Sequence, residues 1–319
     1  MHLKFCRFHT SWFWLVMFSF STAGAGLAAE GAWVRRSQPI PNPGLPGPIS
    51  GVTYGAGKYV AVGSLVALGT FVNIVNRGVI LTSATGESWR AQGVYQDAML
   101  AGVAFGDGSF VAVGQGGIIL MSPDAANWDL SVPANSGHLY SVVWGGDRFI
   151  AVGYAGRIMS LERGKSWTDL PKPDRWTLFQ VCYATNQFVA IGDRGTIVTS
   201  PDGATWTARN SGTKTLLTGV TYGAGQFVAV GEMGKVITSP DGVTWTTQRS
   251  GVQNMLYRVA PWNGGYVVVG DAGIVLQSPN GTQWTRRQVF PTFFVLDVAA
   301  CNDSLVAVGE FGQIYQMRK

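Results

Sequence analysis

Two interleaved motifs recur along this 319-residue chain with one common period, and that period restricts the fold more than any other feature. The first is aromatic-Val-Ala-Val-Gly or a close variant, at residues 59–63, 110–114, 149–153, 188–192, 227–231 and 266–270, and at 305–309 with Leu305 leading. Its terminal glycines lie 51 residues apart at the first interval and 39 at each later one. The second, close to Ser-Pro-Asp-Gly-x-Thr-Trp, ends at Trp89, Trp128, Trp167, Trp206, Trp245 and Trp284, again every 39 residues. A fixed period of this size marks an architecture built from repeated supersecondary units.

Each unit reads as four short strands. In the fifth they are expected at 217–222, 227–231, 235–239 and 245–249, with Gly, Asn, Ser and Asp punctuating the turns. The second-strand runs are apolar at every position, as a sheet covered on both faces requires. Four strands per 39 residues describe a propeller blade, so the expected fold is all-β, a seven-bladed β-propeller with four antiparallel strands per blade. The 43 Gly and 12 Trp are then largely turn residues and one core residue repeated around a ring. An apolar fraction of 46% with 13% charged residues argues against disorder, and glycine without a three-residue period excludes collagen.

Seven second-strand motifs but six downstream Trp motifs leave one blade short of its outer strand. Residues 33–37, Trp-Val-Arg-Arg-Ser, match 206–210, Trp-Thr-Ala-Arg-Asn. The N-terminal strand is therefore expected to complete the last blade, closing the ring and removing an exposed edge. Seven units of 39, a 12-residue insertion within 64–77 and five further residues around 41–48 account for the 290 residues of 30–319.

Residues 1–29 read as an export signal: a basic start carrying Lys4 and Arg7, an apolar run over 13–20, and a small-residue tail ending at Ala28-Ala29. Ala23-Gly24-Ala25 is a second cleavage pattern, and Cys6 precedes the apolar run, unlike a lipoprotein cysteine. No later stretch has the ~18 apolar residues of a membrane helix. The expected product is periplasmic or secreted, not stably inserted in a membrane, and monomeric. Its formal charge of +3 is too small to argue for nucleic acid.

The turns at 200–206 and 239–245 are similar to Asp boxes, the turn motif of sialidases and of the photosystem II stability and assembly factor family. The whole of 30–319 resembles such propellers, and most closely secreted bacterial versions with Ser-Pro-Asp-Gly-x-Thr-Trp. It departs from the usual box by one residue between Asp and Trp, and Thr85, Arg163 and Asn280 stand at the Asp position. The resemblance implies the fold; function has to be argued from sites. Physically, the Asp carboxylate is expected to accept from backbone N–H groups two or three residues on, with Trp buried between blades.

Catalytic and metal constellations are sparse, and no cofactor is expected. His138 is the single His after residue 29, expected as a solvated loop residue. Cys182 and Cys301, three blades apart, are too distant for a disulfide. Sialidase chemistry would need an Arg cluster and an activated Tyr paired with an acid; Tyr154, Arg77, Arg175 and Arg194 are the residues able to share one face. The Arg-Ile-Pro element of that family is missing.

In a ring built by repetition, function belongs where units differ. The largest departure is the insertion, with Leu65, Leu68, Phe71 and Val72 among its apolar residues and Gly69-Thr70 as an expected hairpin tip. It reads either as an extended hairpin packed on neighbouring loops or as an exposed docking patch. The same face offers Trp176, Phe293, Phe290, Met233 and Phe311. Asp193, Glu232, Asp271 and Glu310 share one position after the second-strand Gly, either capping the tight turn or forming an acidic arc for a cation or basic ligand. Arg36, Arg209, Arg249, Arg286 and Arg287 read as solvated edge charges. The expected function is an exported, non-catalytic binding or scaffold propeller serving another envelope or secreted protein. The alternative is a carbohydrate-binding or sialidase-like glycoside hydrolase propeller.

Overall fold

The alternation of apolar runs with Gly- and Asp-rich turns is realised as seven four-stranded antiparallel sheets. The computed structural model describes residues 32–37, 45–68, 74–96, 98–132, 137–173, 175–290, 293–301 and 303–319. The expected export signal, the 38–44 segment, and the tip of the insertion with Phe71 and Val72 lie outside the described residues.

Blade five is representative. Its strands β18 (Leu217–Gly223), β19 (Gln226–Gly231), β20 (Val236–Ser239) and β21 (Thr246–Gln248) pair in sequence order from the ring centre outward. The outer strand is shorter than 245–249. Trp245 is buried, and its Nε1–H donates to the Gly242 carbonyl (3.0 Å), closing the preceding turn. Val228, Ala229 and Val230 of β19 have no exposed surface. Their side chains point alternately into the two flanking blades. The core is accordingly a set of interblade layers, one of which joins Val189 and Ile191 to Phe227, Ala229 and Trp245. Each fully buried side chain of this size contributes about 1.5–3 kcal/mol.

The last blade has the strand order β1 (Trp33–Arg36), β28 (Ile314–Arg318), β27 (Ser304–Gly309), β26 (Val295–Cys301). Strand β1 runs antiparallel to β28 with Trp33 opposite Met317 and Arg36 opposite Ile314, so the N-terminal strand closes the ring as expected. Trp33 packs edge-on against Phe290, with ring centroids 5.1 Å apart.

Blade one is taller than the others. Strand β3 (Lys58–Leu68) continues past Gly63 and pairs with β4 (Ile74–Ser83) as far as Leu68 opposite Ile74. The insertion is thus an extended hairpin. The proline-rich segment joins it, since β2 (Leu45–Gly55) pairs Leu45 with Val66 and Pro46 with Leu65. Strand β2 lies against the Glu310–Gly312 turn of blade seven.

Candidate functional site

One face of the ring carries the turns between second and third strands. From blade two onward each is a single 3-10 turn of the form x-x-Gly, entered from the second-strand glycine. Its middle residue is left-handed: Ala155, Arg194, Met233, Ala272 and Phe311 all have φ of 52–56°. That conformation costs a residue with a Cβ roughly 1–2 kcal/mol, and such strain concentrates at functional positions. Two of these residues are large, apolar and exposed, Met233 (67%) and Phe311 (62%), and Phe294 beside Glu310 is also exposed.

The four acids at the first turn position do not cap it, because the closing N–H of each turn donates to a backbone carbonyl. Three of them reach instead to the start of the first strand of their blade, Asp193 bonding Thr177. Asp271 Oδ1 accepts the Tyr257 hydroxyl (2.7 Å), and Glu310 Oε2 accepts the Phe294 N–H (3.4 Å). Burial pushes the carboxyls of Asp193 and Glu310 up from their usual range. Glu232 is exposed. Among the described residues no three His, Cys, Asp or Glu side chains converge as a metal site would require, and Asp271 lies close enough to Glu310 to raise its carboxyl further.

Two expected docking residues are displaced. Leu65 is 5% exposed and belongs to the core layer between blades seven and one, because β3 keeps its alternation beyond Gly63. Phe293 is 3% exposed and stacks on Tyr315 at 5.4 Å, and Phe290 is buried with it. Among the described residues of this segment, the exposed side chain is Phe294. Leu68 lies on the hairpin strand. Trp176 is half-buried, with the guanidinium carbons of Arg194 and Arg175 at 4.2 Å and 4.9 Å from its ring centre. Such contacts contribute roughly 0.5–1 kcal/mol each at exposed sites and hold the indole in place.

Sequence reading missed the lining of the central channel, a cavity of about 370 Å³. One inner-strand position, spaced by 39 from residue 102 onward, carries Gly51, Gly102, Ser141, Gln180, Gly219, Arg258 and Asp297. Arg258 and Asp297 pair at 3.5 Å. Arg258 donates to the Thr218 carbonyl (2.6 Å), and Asp297 accepts the N–H groups of Val52 and Val298, both at 2.9 Å. Burial pushes the Asp297 carboxyl up, while the guanidinium and these donors favour its charged form. Alignment of the repeats at this position was the signal available.

The turn aspartates act as expected. Asp202 Oδ1 accepts from Ala204 (2.9 Å) and Thr205 (2.8 Å), and these donors hold its carboxyl down at about 2. His138 is not a solvated loop residue: its Nδ1 accepts the Gly116 N–H (3.0 Å) and ties blade three to a turn of blade two. Both Cys182 and Cys301 are free thiols, and burial pushes the Cys182 thiol up to about 12. Tyr257, bound to an acid on this face, has its hydroxyl pushed far above the usual value by burial and by Asp271. A nucleophilic tyrosine needs the opposite shift.

No protein-family model matches this sequence, and no curated protein matches it either. Among solved structures, the chain is similar to YCF48 from Cyanidioschyzon merolae at 15% identity and TM-score 0.68, over 90% of this chain and 99% of that one. It is similar to YCF48 bound to D1 peptide at 18% identity and TM-score 0.70, over 92% and 98%. The WD40 β-propeller domain of Doa1 aligns at 13% identity and TM-score 0.64, over 86% and 93%. At these identities the likeness is one of fold.

Proposed function

We propose that this chain is an exported, non-catalytic propeller that holds a segment of another envelope or secreted protein and assists its assembly or stability. The observation that carries the reading is the pair of exposed apolar side chains, Met233 and Phe311, kept at strained left-handed positions on one face. Fold stability alone favours glycine there, as at Gly116 of blade two. Phe294, Trp176 and the blade-one hairpin share that face, an apolar and aromatic composition suited to protein contact. The YCF48 structure with its D1 peptide supplies a precedent for peptide binding by this fold.

The test is photo-crosslinking in the native envelope with a photoreactive residue at 233 or 311, and at Leu130 on an outer strand as control. One partner protein captured from 233 and 311 but not from 130 supports the reading. Equal capture at all three positions, or none, refutes it. Shortening the hairpin should spare Ser64 and Leu65, both buried, and remove only residues beyond them.

A further inference from the structure

Because the blades repeat, an arrangement complete in one of them shows what is missing from another. On the turn face of blade four an acid, an aromatic ring and a cation meet. Asp193 opens the turn and bonds Thr177, and Arg194 follows it with its guanidinium carbon 4.2 Å from the centre of the Trp176 ring. Burial disfavours the charged Asp193 carboxyl, and Arg194 offsets part of that cost. Blade four supplies this cation from its own chain.

Blade seven repeats the acid and the aromatic surface without the cation. Glu310 stands three repeats after Asp193, and Phe311 takes the place of Arg194. The Glu310 N–H donates to the Phe294 carbonyl (3.1 Å), as that of Asp193 does to Thr177 (2.9 Å), and Glu310 Oε2 accepts the Phe294 N–H in return. The exposed rings of Phe294 and Phe311 therefore flank one carboxylate. Blade six adds a second acid, since Asp271 accepts the hydroxyl of Tyr257, whose ring meets that of Phe294 edge-on at 6.2 Å. Burial disfavours the Glu310 charge, and where Arg194 relieves Asp193, the nearby Asp271 adds to the cost. None of the salt bridges among the described residues involves Asp271 or Glu310. Arg258, next to Tyr257 in sequence, is committed to Asp297 in the channel.

We propose that this patch grips an arginine side chain of the partner segment, its guanidinium between Asp271 and Glu310 and against the rings of Phe294 and Phe311. This rests on the reading of the turn face as a partner-holding surface and names what that surface recognises. The chemistry of the patch selects the occupant. The oxygens left over, Asp271 Oδ2 and Glu310 Oε1, are acceptors, and a guanidinium is a donor at every polar atom. A sugar hydroxyl brings an acceptor with each donor, but the Tyr257 hydroxyl is already given to Asp271. A bare metal ion would call for more ligands than two carboxylates supply. Guanidinium is weakly hydrated, stacks on aromatic faces and bonds carboxylates in the same plane, as Arg194 and Trp176 illustrate within this chain. A cation between two neighbouring carboxylates also removes their mutual repulsion.

The test follows the backbone N–H resonances of Phe294 and Phe311 in the full chain labelled with 15N-phenylalanine, assigned with Phe294→Leu and Phe311→Leu. The probes are millimolar capped tripeptides Gly-X-Gly, with X as Arg, Lys, Leu or Glu, together with calcium chloride and a monosaccharide panel. Saturable shifts with the Arg peptide are expected, larger than with Lys and at least fivefold larger than with Leu or Glu. Asp271→Asn with Glu310→Gln keeps an oxygen acceptor for the Tyr257 hydroxyl and the Phe294 N–H, and should abolish the shift. Phe311→Gly should weaken binding read at Phe294 at least threefold while raising the melting temperature. No shift with the Arg peptide, a shift as large with any other probe, or undiminished Arg binding by the folded double variant would each overturn the proposal. Cross-linking separates it from the reading on which it rests. Capture from 233 that persists undiminished in the double variant would refute the arginine anchor alone, whereas saturable Arg shifts without capture from 233 or 311 would refute the assembly reading alone.

Discussion

Replacing Trp33 by alanine probes ring closure directly, because this one side chain carries the N-terminal strand into the core of the last blade. Trp33 is 9% exposed and packs with Phe290, Tyr315 and Met317. Nearly the whole indole, roughly 200 Å², is therefore withdrawn from water, which at ~25 cal/mol/Å² amounts to about 5 kcal/mol. A compact unfolded chain trims that by about a third. The lost edge-on contact with Phe290 restores about 1 kcal/mol. The result, about 4 kcal/mol, lies within the ~3–5 kcal/mol typical of buried Trp→Ala. With an m-value of about 5 kcal/mol/M in guanidinium, the unfolding midpoint should fall by about 0.8 M. Hydrogen exchange along β28 should accelerate as well, since β1 is its outer partner. Leu130→Ala, at an exposed outer-strand position, should change stability by no more than about 0.5 kcal/mol. A midpoint shift for Trp33→Ala no larger than the Leu130 control, with β28 protection unchanged, would show that the ring does not depend on β1.

The strained turns make a second prediction: Met233→Gly and Phe311→Gly should each stabilise the fold, by roughly 1 kcal/mol in denaturant melts, while weakening partner capture. Destabilisation by either would remove the strain argument. Acid sensitivity supplies a third. The folded-state values of Asp202 and Asp241 are depressed by backbone donors, so the stability they confer is present above the unfolded value near 4. It is lost as pH falls toward about 2, the folded value of Asp202. Asp193 and Glu310 work in the opposite sense, because their folded values are raised and their cost at neutral pH is recovered on acidification. Asp202→Asn with Asp241→Asn keeps the Oδ1 acceptor, as Asn280 already does, and should flatten the stability profile between pH 4 and about 2. An unchanged profile would assign the acid sensitivity to other groups.

What repetition dictates was readable in the chain: strand order, blade number, the closing strand and the role of the turn aspartates all follow from comparing one unit with the next. The misplaced docking residues share a cause, since they fall where a unit has no counterpart. Leu65 counted as an insertion residue, yet β3 continues without a break and carries it into the core opposite Arg77. Phe290, Phe293 and Phe294 stand where blade five has Gly251, Asn254 and Met255, and spacing alone does not say which ring turns inward. The neighbours decide it: Trp33, supplied by the opposite end of the chain, and Tyr315 form the pocket that takes the first two.

The departures from symmetry therefore differ in kind. At the inner-strand position, the polar substitutions complete the backbone's own bonding. Gln180 accepts the Val220 N–H (2.6 Å) and Asp297 the Val52 N–H, each reaching one blade onward to an inner-strand edge. Where glycine stands there instead, the neighbouring chain is too close for a side chain, as at Gly219 against the Tyr257 carbonyl. Those residues are accounted for by the fold, and breaking the Arg258–Asp297 pair would be a defect of packing. Met233 and Phe311 are of the other kind. They cost the fold something, in backbone strain and exposed apolar surface. On the proposed reading, the position that blade two fills with Gly116 carries Met233 and Phe311 in blades five and seven because a partner is held there.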